Sequence, residues 1–203
     1  ICMYCKSNFF KDLFTCDIMM RKHLKLCKKV FAEVIELNEE RYAKISNWFR
    51  DNEKRMKILN ILYKGLPTVT MVEYAVLVIF EIFQGKDKME EIIRVIIVPL
   101  ITFGICTAAR KVVNEKRPYE AMNITPLIKK DKKGQSFPSR HVLSATVIAM
   151  ASMYVNVWLG IIMMLISVAI AVIRPVAGVH YIRDVIGGLV IGIVCGVMGF
   201  YVF

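Results

Sequence analysis

Between residues 142 and 203 the chain carries three charged side chains, Arg174, Arg183 and Asp184. A stretch so long and so nearly free of charge cannot be the half-wetted face of a soluble helix or strand. It has to be apolar on all sides, which means burial in protein or lipid. Residues 186–203 are uncharged and long enough to cross most of a bilayer as one helix. Residues 142–173 are too long for one ordinary span, so a break at Asn156 is expected to divide them into two helices joined by a tight turn. Two more apolar stretches, 66–83 and 92–109, lie upstream, the first interrupted by Glu73 and Glu81. The apolar share of 56% exceeds that of ordinary soluble domains and supports the same conclusion. The expected fold is all-α, an integral membrane helical bundle of about five spans.

The N-terminal part reads differently. Residues 1–64 hold half of the Lys and Arg and no apolar run that could span. Leu24, Cys27, Phe31 and Ile35 recur at helical spacing, as do Tyr42, Ile45 and Phe49. Residues 1–57 are therefore expected to form a basic amphipathic helical extension, and 58–203 the membrane-embedded domain. Such an extension either lies on an anionic membrane surface or packs on its neighbours. Cys2 and Cys5 make one C-x-x-C near Cys16, His23 and Cys27, without the second pair that a zinc site requires. Cys106 and Cys195 fall in apolar stretches and read as packing residues. No metal site is expected. The net charge of +11 gathers beside the spans, where basic residues set topology and meet lipid headgroups. No basic face with base-stacking aromatics accompanies it, so nucleic acid is not an expected partner.

Three short patterns carry the chemistry. His180 and Asp184 are four residues apart, so on a helix they share a face and the carboxylate can hold one imidazole nitrogen while the other attacks. Arg174 lies six residues before His180, at the end of an apolar stretch where a guanidinium needs an anionic partner. Pro138-Ser139-Arg140-His141 precedes a long apolar helix, with Ser139 as a natural N-cap. Backbone N–H groups at such a start bind phosphate oxygens, and His141 stands in the first turn, where it can pass a proton to a leaving oxygen. Arg110 and Arg117, just after the 92–109 stretch, are suited to bidentate phosphate contacts. Each element alone fits ordinary helix capping or juxtamembrane flanking. Together they describe two imidazoles, a carboxylate and a cage of guanidiniums. Gly188, Gly192 and Gly196 recur every four residues, a small-residue stripe suited to close helix packing within the bundle.

In order and spacing these patterns resemble the type 2 phosphatidic acid phosphatase family, related to the vanadium haloperoxidases. Its Lys-x6-Arg-Pro motif appears here as Arg110-x6-Arg117-Pro118, its Pro-Ser-Gly-His as Pro138-Ser139-Arg140-His141, and its Ser-Arg-x5-His-x3-Asp as Ile173-Arg174-x5-His180-x3-Asp184. Arg110 replaces Lys, Arg140 replaces Gly and Ile173 replaces Ser. The resemblance spans roughly 58–203. It implies a metal-independent, cofactor-free, two-step phosphoryl transfer. His180 attacks phosphorus and Asp184 orients it; His141 protonates the leaving oxygen, then activates water. Arg110, Arg117, Arg174, Ser139 and the backbone at Arg140 hold the phosphate oxygens. The implied substrates are phosphatidic acid, phosphatidylglycerophosphate or polyprenyl diphosphate, met in the cell membrane by a multi-pass protein. Two other readings stay open: a non-catalytic anionic-lipid binding or transport protein, and a vanadate-dependent haloperoxidase, whose known members are soluble.

Overall fold

A computed structural model describes residues 39–84, 89–130 and 132–202. The helical spacing from Leu24 to Ile35 and the cysteine and histidine positions from Cys2 to Cys27 lie outside the described residues. Among the described residues every regular element is helical: α1 (Glu39–Arg50), α2 (Glu53–Phe83), α3 (Met89–Val113), a short α4 (Pro118–Ala121), α5 (Arg140–Val155), α6 (Val157–Val176) and α7 (Ile182–Val197), which a π-turn at Met198–Val202 extends. The all-α expectation is met. Four segments are long and apolar enough to cross a membrane, Glu53–Phe83, Met89–Ala121, Val157–Val176 and Ile182–Val202, giving the architecture of a multi-pass membrane protein.

The fifth apolar helix, α5, is the shortest of the set at 16 residues, about 24 Å of rise. It is also the centre of the bundle. Val142, Leu143 and every residue from Ala145 to Ser152 are buried. α5 packs most extensively on α6 and α7, and also on α3 and α2. Its composition explains the position. Alanines let neighbours approach, and two of its hydroxyls find partners on neighbouring helices: Thr146 Oγ1 is 2.7 Å from Ser167 Oγ, and Ser152 Oγ donates to Glu73 Oε1 at 2.8 Å. That second bond accounts for Glu73 in an apolar helix. The glycine stripe of α7 lies against α5. A Cβ on Gly192 would stand 2.7 Å from Thr146 Cβ, and one on Gly196 2.6 Å from Met150 Cβ, closer than atoms tolerate. The outer helices are the reverse. Val72, Val76 and Ile79 of α2, and Leu100, Ile101 and Ile105 of α3, are exposed on faces that lipid would cover.

Asn156 makes the expected break. Its N–H donates to Ser152 O at 2.7 Å, closing α5, and its Oδ1 accepts from Leu159 N at 3.1 Å, opening α6. α2 begins well before the apolar run from residue 66, because Asn52 Oδ1 accepts from Lys54 N at 2.9 Å and caps it. α1 packs on its neighbours. Tyr42, 2% exposed, accepts from Leu127 N at 3.0 Å; Arg50 Nη2 donates to Thr125 O at 2.9 Å; Glu39 Oε1 accepts from Asn123 N at 3.0 Å. Residues 39–50 thus brace the loop that follows α4.

Candidate active site

The C-terminal ends of α3 and α6 and the N-terminal ends of α5 and α7 meet on one face of the bundle. Every site residue expected from the sequence lies at or beside these four ends. The turn from α6 to α7 holds His180. Gly178 makes that turn at φ +76, and the Tyr42 ring packs where a Cβ at this position would go, so a larger residue is excluded on two grounds.

His180 is 3% exposed, and its Nδ1 lies 3.3 Å from Asp184 Oδ2. Asp184 is wholly buried in the first turn of α7, where a carboxylate also suits the helix dipole. The same Oδ2 accepts from Tyr181 N at 3.0 Å and from the Ser136 hydroxyl. An acceptor-only carboxylate facing Nδ1 selects the tautomer with the proton there and leaves the Nε2 lone pair free. Burial pushes the His180 imidazole down from its ordinary value to about 4, with the hydrogen bond and charge of Asp184 opposing that shift. The ring is therefore neutral, as a nucleophile must be, across the physiological range.

The arginines converge on this pair. Arg110 and Arg117 are each 5% exposed, and Arg174 is 2% exposed. Arg110 donates to the carbonyls of Gln135 and Pro138, and Arg117 Nε donates to Gly134 O at 3.0 Å. Both guanidiniums thereby hold the 134–138 loop that leads into α5. Gly134 enables the bend at φ +64, and its N–H donates to Glu120 Oε1 at 2.7 Å. The Arg174 guanidinium stacks 4.1 Å from the Tyr63 ring centroid. Among the described residues no carboxylate is in ion-pair distance of Arg174. Three buried guanidiniums around one buried carboxylate leave a surplus of positive charge, and such a surplus in a dry site calls for an anion.

Ser139 stands at the N-cap of α5 as expected, but its hydroxyl makes no capping bond. Its Oγ is buried without a partner, while Ser139 N donates to Asp184 O at 2.9 Å and ties the starts of α5 and α7 together. Orphaned polar atoms of this kind mark a place where a ligand completes the bonding. Arg140 and His141 follow in the first turn and line a cavity of about 430 Å³ with Pro67, Met71, Phe103 and Ile148. A second, nearly wholly apolar cavity of about 270 Å³ adjoins it through Met71, Phe103 and Ile148 and runs along α2 and α3 past Pro99.

Sequence spacing missed three residues that shape this site. Ser136 holds Asp184 from 48 positions away, Tyr63 supports Arg174 from another helix, and Tyr42 fills the space beside Gly178. None lies at a periodic spacing from the group it holds.

The family model of the PAP2 superfamily matches residues 91–203. The chain belongs to the PAP2 superfamily. All three motifs lie within the matched region, so the family resemblance drawn from them holds. Among solved structures the chain is similar to Aquifex aeolicus LpxE, at 24% identity and a TM-score of 0.61, over 81% of this chain and 94% of that one. It is also similar to a transmembrane PAP2 type phosphatidylglycerolphosphate phosphatase from Bacillus subtilis, at 19% identity and a TM-score of 0.58, over 87% of this chain and 92% of that one. At these identities the likeness is one of fold. No curated protein sequence matches the chain.

Proposed function

We propose that this PAP2 superfamily member is a membrane lipid phosphatase that works through a phosphohistidine. The observation that carries the reading is the buried His180–Asp184 pair gathered with the buried Arg110, Arg117 and Arg174, beside an α5 start whose His141 lines a cavity between α2, α3 and α5. In this reading a lipid phosphate enters with its tail along the cavity. His180 Nε2 attacks phosphorus while Asp184 holds Nδ1–H and stabilises the positive charge that develops on the ring. The three guanidiniums, the Ser139 hydroxyl and the N–H groups at the start of α5 bind the phosphoryl oxygens, whose charge grows in the transition state. His141, in the cavity wall, gives its proton to the leaving oxygen and afterwards takes one from the attacking water. The similar phosphatidylglycerolphosphate phosphatase supports a phosphate ester of a lipid; the candidate substrates in this reading are polyprenyl diphosphate, phosphatidic acid and phosphatidylglycerophosphate, met in the cell membrane. Residues 1–57 serve in this reading as an accessory extension, whose part at 39–50 braces the site loop.

The test is phosphate release by purified protein from these three lipids with EDTA present, comparing wild type with His180→Ala. The reading expects release that survives EDTA and vanishes in the variant. Undiminished release by His180→Ala would defeat it. Absence of release from all three lipids would favour an anionic-lipid binding protein, and halide oxidation dependent on vanadate and peroxide would favour a haloperoxidase.

A further inference from the structure

Three guanidiniums and one carboxylate together match one doubly charged phosphate. The mouth of the site nevertheless carries three further cations, Arg140, Lys130 and Lys132. Lys130 Nζ lies 5.7 Å from the centroid of the Tyr63 ring, the ring on which Arg174 stacks. The Arg140 guanidinium lies 5.5 Å from the Phe103 ring centroid, on the wall of the cavity it shares with His141. Among the described residues no carboxylate pairs with any of these three side chains. Their crowding registers on the lysines. Lys130 is held below its ordinary range by burial first and then by Arg174, Arg117 and Arg140. The Lys132 carbonyl accepts from the hydroxyl of Tyr119, whose ring packs on the cluster of Tyr63, Ala177 and Val179. Lys132 is likewise lowered by burial, then by Arg140, Arg110, Arg117 and Lys130. Asp131, between the two lysines in sequence, lies outside the described residues; among the described ones, like charges gathered without counter-charge raise the energy of the empty site and are relieved by an anion.

We propose that Arg140, Lys130 and Lys132 form an outer anion subsite that binds a second phosphate on the leaving-group side, making the preferred substrate a lipid diphosphate. The proposal rests on the phosphatase reading above. Its geometry follows from the chain itself. Arg140 and His141 line the same cavity, so the leaving group whose oxygen His141 protonates lies in the space they share. For phosphatidic acid that group is a neutral alcohol, which gives the outer cations nothing to bind, and for phosphatidylglycerophosphate its phosphodiester lies a glycerol unit away from the bond that breaks. For a diphosphate the group is the lipid monophosphate. In that case the bond between the terminal phosphorus and the bridging oxygen breaks as the His180 nitrogen–phosphorus bond forms. The bonding electrons stay on the bridging oxygen, which takes the His141 proton, and water later releases inorganic phosphate from His180. The position of Arg140 is a glycine in the motif this chain resembles, so the subsite is a feature of this chain.

Farnesyl diphosphate and farnesyl monophosphate share one tail and differ by one phosphate, so phosphate release from the two by the purified full chain isolates the effect. The expectation is a higher kcat/KM for the diphosphate in wild type. Arg140→Gly should lower the diphosphate-to-monophosphate ratio of kcat/KM by about tenfold or more, the scale of a lost charge-assisted contact. The Lys130→Ala/Lys132→Ala double variant should lower it in the same direction, and Arg140→Lys should retain part of it. The lysine variant carries the test alone if Arg140→Gly elutes as aggregate. An equal loss on both substrates, or a wild-type preference for the monophosphate, would overturn the subsite while the phosphatase reading stands. No release from either substrate by wild type would overturn both.

Discussion

The two ends of this bundle treat buried charge in opposite ways. At the end where α3, α5, α6 and α7 present Arg110, His141, Arg174 and Asp184, buried ionisable groups lie against one another and against loop carbonyls. At the other end Glu81 is wholly buried near the close of α2, and neither of its carboxylate oxygens has a hydrogen-bond partner. Tyr63 and Glu81 are on one helix, separated by about 27 Å of helical rise. Burial of a charge is thus not what marks the candidate site, since both ends do it. What marks it is convergence: several groups from distant segments sharing partners, with a net sign suited to one kind of ligand.

The comparison predicts unequal consequences. Asp184→Asn keeps the shape but removes the charge that holds the His180 tautomer, and should lower kcat by about 10³-fold or more in a phosphate-release assay. Acidification acts on the same pair. The folded His180 titrates at about 4, below its ordinary value, so its neutral form, and the stability tied to it, is complete above the ordinary imidazole value and is lost as pH falls toward 4. The acid limb of kcat/KM set by this group should therefore fall near pH 4, and a limb near 6.5 that disappears with Asp184→Asn would contradict the assignment. Ser136→Ala removes one of the bonds to Asp184 Oδ2 and should cost roughly tenfold in kcat with little change in KM. Gly192→Leu drives a side chain into Thr146 and should lower stability by about 1–3 kcal/mol, read as a lower thermal midpoint in detergent. At the far end, Glu81→Gln removes an unpartnered buried carboxylate and should leave turnover within about twofold and the thermal midpoint unchanged or higher.

Much of this arrangement was visible in the sequence, because periodicity and charge report directly on burial in an apolar medium. The spans, the break at Asn156 and the role of the Gly188–Gly192–Gly196 stripe follow from spacing alone, whereas His180 and Asp184 pair with His180 in the turn before α7 rather than on a shared helix face. Long-range pairing does not. Nothing in the residues around Ser136 says that its hydroxyl meets Asp184, because that contact depends on Arg110 and Arg117 folding the 134–138 loop back onto α7. The central place of α5 was hidden for a related reason. Hydropathy ranks it with the other apolar stretches, and its small and hydroxylated residues reveal their meaning only against Ser167, Glu73 and the glycines of α7. Tyr42 is part of an amphipathic pattern that fits a membrane surface as well as it fits the loop it braces.

The central claim is that His180 becomes covalently phosphorylated. Rapid-quench mass spectrometry of the purified protein with lipid diphosphate, run under alkaline conditions that preserve phosphohistidine, tests it directly. The account predicts an acid-labile phosphoryl group on His180 that accumulates in His141→Ala, where water activation fails, and is absent from His180→Ala. Phosphate release by wild type with no phosphorylated His180 in either wild type or His141→Ala would contradict it.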